Sequence, residues 1–322
     1  MSLLSAPVLA HVVRATFVES VHHGLAVVVA PDGSVERAWG DPGTPILPRS
    51  SLKPLQAAAM LRAGAPLAGE SLALACASHS GEAVHLAGVR ASLAASGLGE
   101  DALRNTPGRP IGEDALAAWL ASGRRDERIA QNCSGKHAGM LAACVAAGWD
   151  LETYLDPAHP LQRLVREVVE DLTGSEVVAT VTDGCGAPVH AFSLSGLARA
   201  FGRLAAATDG HEARVAAAMA AHPFLVGGTG RPDSVLMADV PGAIAKEGAE
   251  AVIAIGLPDG HGVAVKIADG SRAARVVAAA LLRDLGVDAD AVARLGDVPV
   301  LGHGERVGSV VAVLDRTANL VG

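Results

Sequence analysis

Two hydrophobic rhythms divide this chain. Near both ends, short apolar runs are bounded by turn residues. Residues 11–21 (HVVRATFVESV) and 24–40 (GLAVVVAPDGSVERAWG) read as strands. The second folds back at PDGS, where Asp-Gly supplies the positive φ of a tight turn. Residues 250–270 (EAVIAIGLPDGHGVAVKIADG) read as a second hairpin, and residues 304–314 (GERVGSVVAVL) as a last strand. Residues 71–80 (SLALACASHS) place Leu72, Leu74, Cys76 and Ser78 on one face if extended. Between the ends the rhythm lengthens to helical spacing. Helices are expected over 50–64, 83–96, from near Ser134 to Gly148, and over 159–174, 193–207 and 210–223. Leu161, Leu164, Val168 and Leu172 line one side of the fourth. A further amphipathic helix covers 271–286, with Ser271 as N-cap and Gly286 at its end. Residues 176–186 (EVVATVTDGCG) read as a strand running into a tight turn.

Hairpin-joined strands point to an antiparallel sheet, not to repeated βαβ units. The expected fold is α+β, an α/β/α-type sandwich. One antiparallel sheet forms from both termini and is covered by helices, with a largely helical middle part. The 322 residues are expected to form a single catalytic domain. Its sheet-containing part spans about 1–80 and 240–322, and its mainly helical part about 81–239.

Composition narrows the functional classes. Half of the chain is apolar but only 2% is aromatic, so Leu, Val and Ala must fill the core. The net charge is −8 and no stretch is rich in Lys and Arg, which argues against nucleic acid as a partner. No apolar run reaches the roughly 18 residues needed to span a bilayer. The first residues lack the basic start of a signal peptide. The four cysteines are too few for a disulfide scaffold, so reduced thiols and a cytoplasmic location are expected.

Lysine usage carries the chemical signal. Of 26 basic side chains only Lys53, Lys136, Lys246 and Lys266 are lysines. Arg cannot lose its proton near neutral pH, whereas a buried Lys can. The four lysines are therefore candidates for work that needs a neutral amine or a compact charge. Ser50 and Lys53 stand three apart in PRSSLKPLQ, and positions i and i+3 share a helix face. Ser50 at the start of that helix would meet Lys53 as its base, and the helix end would favour developing negative charge. Ser51 is the competing nucleophile, but i+2 points away from Lys53. By itself this spacing is equally that of an N-capping serine beside a surface lysine.

Further motifs add weight. CASHSGE puts Ser78 at a strand end. QNCSGKHAGM sets Asn132, Cys133, Lys136 and His137 around a helix start, and TDGCG sets Asp183 and Cys185 in a Gly-flanked turn. Two Ser–Lys pairs emerge: Ser50–Lys53 locally, and Ser78–Lys266 through the fold. Cys133 and Cys185 also suit small buried hydrophobes, and His137 a capping or surface histidine. Cys76 and Cys144 read as structural.

PRSSLKPLQ, CASHSGE, NCSGKHAGML, TDGCG and AVKIADG, in this order and at these intervals, resemble the bacterial L-asparaginase II family of the rhizobial, thermolabile type. The resemblance runs from about residue 10 to the C-terminus. It implies a fold similar to serine β-lactamases and glutaminases, and hydrolysis of L-asparagine to L-aspartate and ammonia. It implies Ser50 as nucleophile with Lys53 as its base, and Ser78 with Lys266 as a second pair. Cys133, Lys136 and Cys185 would hold zinc, with Asp183 and His137 nearby. Arg231 would approach the site, and Arg49, Asn132, His137, Asp183 and Arg231 are the substrate-binding candidates. A homodimer is implied at family level. Two thiolates suit zinc; a lysine ligand must first lose its proton, so metal affinity should fall with acid. Whether the activity needs the metal is left open.

Other readings are weaker. A penicillin-binding protein or β-lactamase carries S-D-N and K-T-G after its SxxK, and neither tripeptide occurs here. The paired zinc-deaminase signature of H-x-E with P-C-x-x-C is absent. The glycines of GHGERVG are followed by a strand, not the helix a dinucleotide site needs. A non-catalytic amino-acid-binding protein on the same fold is the remaining alternative.

Overall fold

The computed structural model describes residues 3–314. The first strands are β1 (Val8–Arg14), β2 (Phe17–Val29), β3 (Val35–Trp39) and β4 (Pro45–Ile46). Helices α1 (Lys53–Arg62), α2 (Gly69–Ala75), α3 (Ala83–Ala95), α4 (Glu113–Ala121), α5 (Ser134–Ala147) and α6 (Pro160–Thr173) follow. Then come β5 (Ala179–Thr182), β6 (Pro188–Ser193), α7 (Leu194–Ala206), α8 (Gly210–Ala221), α9 (Pro223–Val226) and α10 (Pro232–Asp239). The last elements are β7 (Ile244–Gly248), β8 (Val252–Gly256), β9 (Gly262–Ile267), α11 (Ala274–Asp284), α12 (Asp290–Leu295), β10 (Pro299–Gly302) and β11 (Glu305–Ala312).

The main sheet has eight strands in the order β10-β11-β1-β2-β9-β8-β7, with β3 also paired to β2. Every pairing in it is antiparallel. Strands from both termini meet through β1–β11, with His11 opposite Val311, and through β2–β9, with Leu25 opposite Lys266. All residues of β8 and β9 are buried. A strand buried on both faces must be covered on both, and α7 and α11 pack against these strands. The middle of the chain is mainly helical, and the fold is the expected α+β arrangement. A small second sheet, β4-β6-β5, lies beside the helices.

The helices stop where their sequences say they should. α5 ends at Gly148 and α6 at Gly174, both left-handed, with φ of 67° and 60°. α6 opens on Pro160, and the His159 side chain accepts the Leu161 N–H, a cap that contributes about 1 kcal/mol. Its inward stripe of Leu161, Val165, Val168 and Leu172 is fully buried, each worth roughly 1.5–3 kcal/mol against exposure.

Three local expectations are corrected. Residues 71–80 are not a strand: α2 takes the first part, and Ser78 lies in the irregular segment that follows. Every residue from Leu72 to Ala77 is buried, so alternation there did not mark a single buried face. Residues 11–21 belong to two strands joined at a turn, not one. Ser271 is not the N-cap of α11, which begins at Ala274.

Candidate active site

Arg49–Leu52 form one 3-10 turn that leads directly into α1. Pro54 sits in the first turn of α1, where a missing N–H costs least. Arg49 has φ of 53°, a left-handed conformation that costs a non-glycine residue about 1–3 kcal/mol and is often found at functional sites. The turn is held from outside by β7. Ser51 is fully buried and its hydroxyl donates to the Lys246 carbonyl at 2.9 Å, which removes it as a competing nucleophile. Gly248 permits that contact: a Cβ there would lie 2.3 Å from the Pro48 carbonyl oxygen. Ser50, one residue earlier, is only partly buried. It lines a cavity of about 520 Å³ together with Ser78, Asn132, Arg231, Glu247 and Glu250.

Lys53 is 1% exposed, and its ammonium nitrogen donates to the Ala77 carbonyl and to Ser78 Oγ, the latter at 2.9 Å. Neither bond goes to Ser50, so the structure joins Lys53 to the serine of the other motif. Ser78 is fixed through its backbone. Its N–H donates to Val226 O, and the following N–H groups of His79 and Ser80 donate to Asn132 O and Gly227 O. Burial lowers the Lys53 pKa below its ordinary value; Cys133 opposes the shift, while Lys136 and Lys246 assist it. Lys53 is thus a buried amine biased toward its neutral form and already in contact with a hydroxyl.

Lys266, on β9, is 9% exposed and donates to the Glu250 carbonyl, not to Ser78. Burial lowers its pKa, with Glu250 opposing and Arg49 assisting. The β7–β8 turn that it holds is strained, with φ of 58° at Glu250 and 60° at Ala251. Both residues line the cavity, so Lys266 reaches the site through its wall.

Behind Lys53 lies a second buried cluster. Lys136, on the first turn of α5, is 2% exposed and places its nitrogen 3.1 Å from Cys185 Sγ. Cys185 is pulled down to about 4, chiefly by a hydrogen bond from the Cys133 thiol and, against burial, by the Lys136 charge. The same hydrogen bond and burial push Cys133 up to about 12. Lys136 is held above its ordinary range by Cys185 and Cys133, although burial works against it. These shifts favour an anionic Cys185 sulfur beside a protonated Lys136. Arg49 Nε donates to Asp183 Oδ1 at 2.6 Å, and this bond helps hold the Asp183 pKa down against burial.

Two thiols and an amine are donors of the kind a small tetrahedral cation takes, provided Lys136 gives up its proton on binding. Zinc bonds of about 2.0–2.3 Å would space such donors roughly 3.5 Å apart, close to the 3.1 Å between Lys136 and Cys185. Among the described residues no group of three or more His, Cys, Asp or Glu side chains converges on a metal site. The third donor here is an amine instead. His137 is outside the trio. It is fully buried, Nδ1 meets the Tyr154 hydroxyl at 2.8 Å, and Nε2 has no partner among the described residues. Burial keeps its imidazole neutral.

Two residues of the cavity wall carried no motif. Glu247 Oε1 accepts from Arg275 Nε at 2.7 Å, and Glu247 Oε2 lies 3.4 Å from Arg231 Nη2. Arg231 Nε is buried without a hydrogen-bond partner among the described residues. Two guanidinium groups around one carboxylate leave this wall with one net positive charge. Arg49 and Asp183, by contrast, neutralise each other.

Among the described residues no helix is long and apolar enough to cross a membrane. A β-lactamase from Mycobacterium bovis has a similar solved structure, with 16% identity over 81% of this chain and 94% of its own, at a TM-score of 0.38. No curated protein matches the chain. The family model for L-asparaginase II matches residues 10–312, nearly the whole chain and every motif described above. The chain therefore belongs to the L-asparaginase II family, a family of amidohydrolases.

Proposed function

We propose that the protein hydrolyses the side-chain amide of L-asparagine to L-aspartate and ammonia, with Ser50 as nucleophile. One observation carries the reading: a buried, neutral-leaning amine, Lys53, is bonded to Ser78 Oγ in the wall of the cavity that Ser50 lines. Ser50 Oγ attacks the side-chain carbonyl carbon. Its proton passes by way of the Ser78 hydroxyl to Lys53. The Ser50 N–H, at the open end of its turn, has no intrahelical partner and is available to the oxyanion. The C–N bond breaks, and the proton returns to the departing ammonia. Water then cleaves the β-aspartyl ester and restores Ser50. Lys266 supports the site by holding the Glu250 turn.

Arg231, with Arg275 beside it, receives the α-carboxylate. Asn132 lines the same cavity and is a further substrate contact. Arg49, Asp183 and the fully buried His137 are not among its lining residues, so their part is to support the wall from behind. Cys133, Lys136 and Cys185 would hold zinc. When bound, the ion would supply fixed positive charge to orient a charged end of the substrate.

A second reading is favoured by the same bond: Ser78 as the nucleophile, with Lys53 as its direct base. Ammonia release separates the two. With Ser50 as nucleophile, Ser50→Ala loses at least about 10³-fold in kcat, while Ser78→Ala keeps a measurable fraction and forms the acyl-enzyme on Ser50, visible by mass spectrometry. An acyl adduct on Ser78 would reverse the assignment.

A further inference from the structure

Lys246 is the one lysine to which no motif gave a role, and it lies where a charge is least welcome. It pairs with Asp233 at 2.8 Å, and both side chains are 0% exposed. Attraction in such a pair barely offsets the loss of solvation, so an apolar pair of the same volume would hold a core equally well.

The contacts of the two partners supply a reason. On the lysine side, Lys246 O accepts the Ser51 hydroxyl, and two residues on, Gly248 lets β7 lie against the Pro48 carbonyl. β7 therefore grips the turn that carries Ser50. On the aspartate side, Asp233 Oδ1 accepts the Ser234 N–H, and Ser234 Oγ accepts the Gly228 N–H. Gly227 is moulded to the same two groups: a Cβ there would lie 2.5 Å from Asp233 Oδ1 and 2.5 Å from Ser234 Oγ. The carbonyls of Val226 and Gly227 in turn accept the N–H groups of Ser78 and Ser80. One framework holds Ser50 and the other holds Ser78. The Lys246–Asp233 pair joins them, and Lys246 Nζ also donates to the carbonyl of Glu247, whose carboxylate sets the two arginines.

We infer that Lys246 and Asp233 are positioning residues that set the separation of the Ser50 and Ser78 hydroxyls. The kinetic part of this inference rests on the asparaginase reading above; the geometric part does not.

The test uses purified, folded Asp233→Asn and Lys246→Met, and the double variant Lys246→Met/Asp233→Leu, which replaces the charges by apolar groups. Each single variant is expected to lose about 10–100-fold in kcat, with KM and L-aspartate affinity changed less than about threefold. The double variant should recover thermal stability without recovering kcat. A pair that only stabilises the fold would instead return full kcat in the double variant, and that result overturns the inference. Should these variants not fold, Ser51→Ala removes only the link at Lys246 O; a roughly fivefold lower kcat at unchanged KM is expected, and an unchanged kcat overturns the inference. Crystallography decides independently of substrate: the Ser50 Oγ to Ser78 Oγ separation in a folded variant should change by more than about 0.5 Å. An unchanged separation contradicts the inference, whereas wild-type protein that releases no ammonia from asparagine contradicts only the functional reading.

Discussion

Lys53 and Lys136 are both buried and both feel the Cys133 thiol, yet their pKa values shift in opposite directions. Lys53 faces a carbonyl and a hydroxyl, neither of which repays the lost hydration of an ammonium, so its pKa falls. Lys136 faces the Cys185 sulfur, whose low pKa makes it an anion, and its pKa rises despite equal burial. Depth alone does not make a base. The partner decides.

The sharpest way to break this comparison is to freeze one lysine in its charged form. Lys53→Arg places a larger, permanently charged group there that cannot become neutral near physiological pH. Its kcat should fall at least about 10³-fold, and raising the pH should not restore it. Recovery at alkaline pH would show that the base lies elsewhere. Lys136→Met tests the other half. It strips Cys185 of its cationic partner and the proposed zinc trio of one donor, and an intermediate loss of about 10–100-fold is expected. A loss as deep as that of Lys53→Arg would make the two lysines equivalent and erase the distinction. The smallest effect belongs to a cation assigned to substrate binding and not to bond breaking. Arg275→Gln should raise KM for asparagine about three- to tenfold with kcat nearly intact. A pure kcat effect would move Arg275 out of carboxylate binding.

Much of this was legible in the residues, for identifiable reasons. α5 and α6 were readable because their ends carry glycine and proline at positions where backbone geometry demands them. The β8–β9 hairpin was readable from two apolar runs around LPDGHG. The rarity of lysine pointed to Lys53 and Lys136 before any geometry was known. The partner of Lys53 was not legible. Spacing speaks only for residues on one element, and the serine that Lys53 touches arrives from a segment 25 residues away. The same limit hid the Lys246–Asp233 and Glu247–Arg275 contacts, which join β7 to α10 and to α11. α2 was misread because a segment apolar on every side has no period to read.

The central claim is that Lys53 is the neutral amine and Lys136 the charged one. With only four lysines in the chain, titration of ε-carbon-13-labelled lysine by NMR reads it directly, using Lys53→Met and Lys136→Met to assign the signals. The account expects the Lys53 signal to titrate below the usual lysine value of about 10.4, and the rise of kcat with pH to follow it. In metal-free protein Lys136 should stay protonated beyond that point. A Lys53 signal that remains protonated up to or above the usual value, while kcat is already at its plateau, would contradict the account.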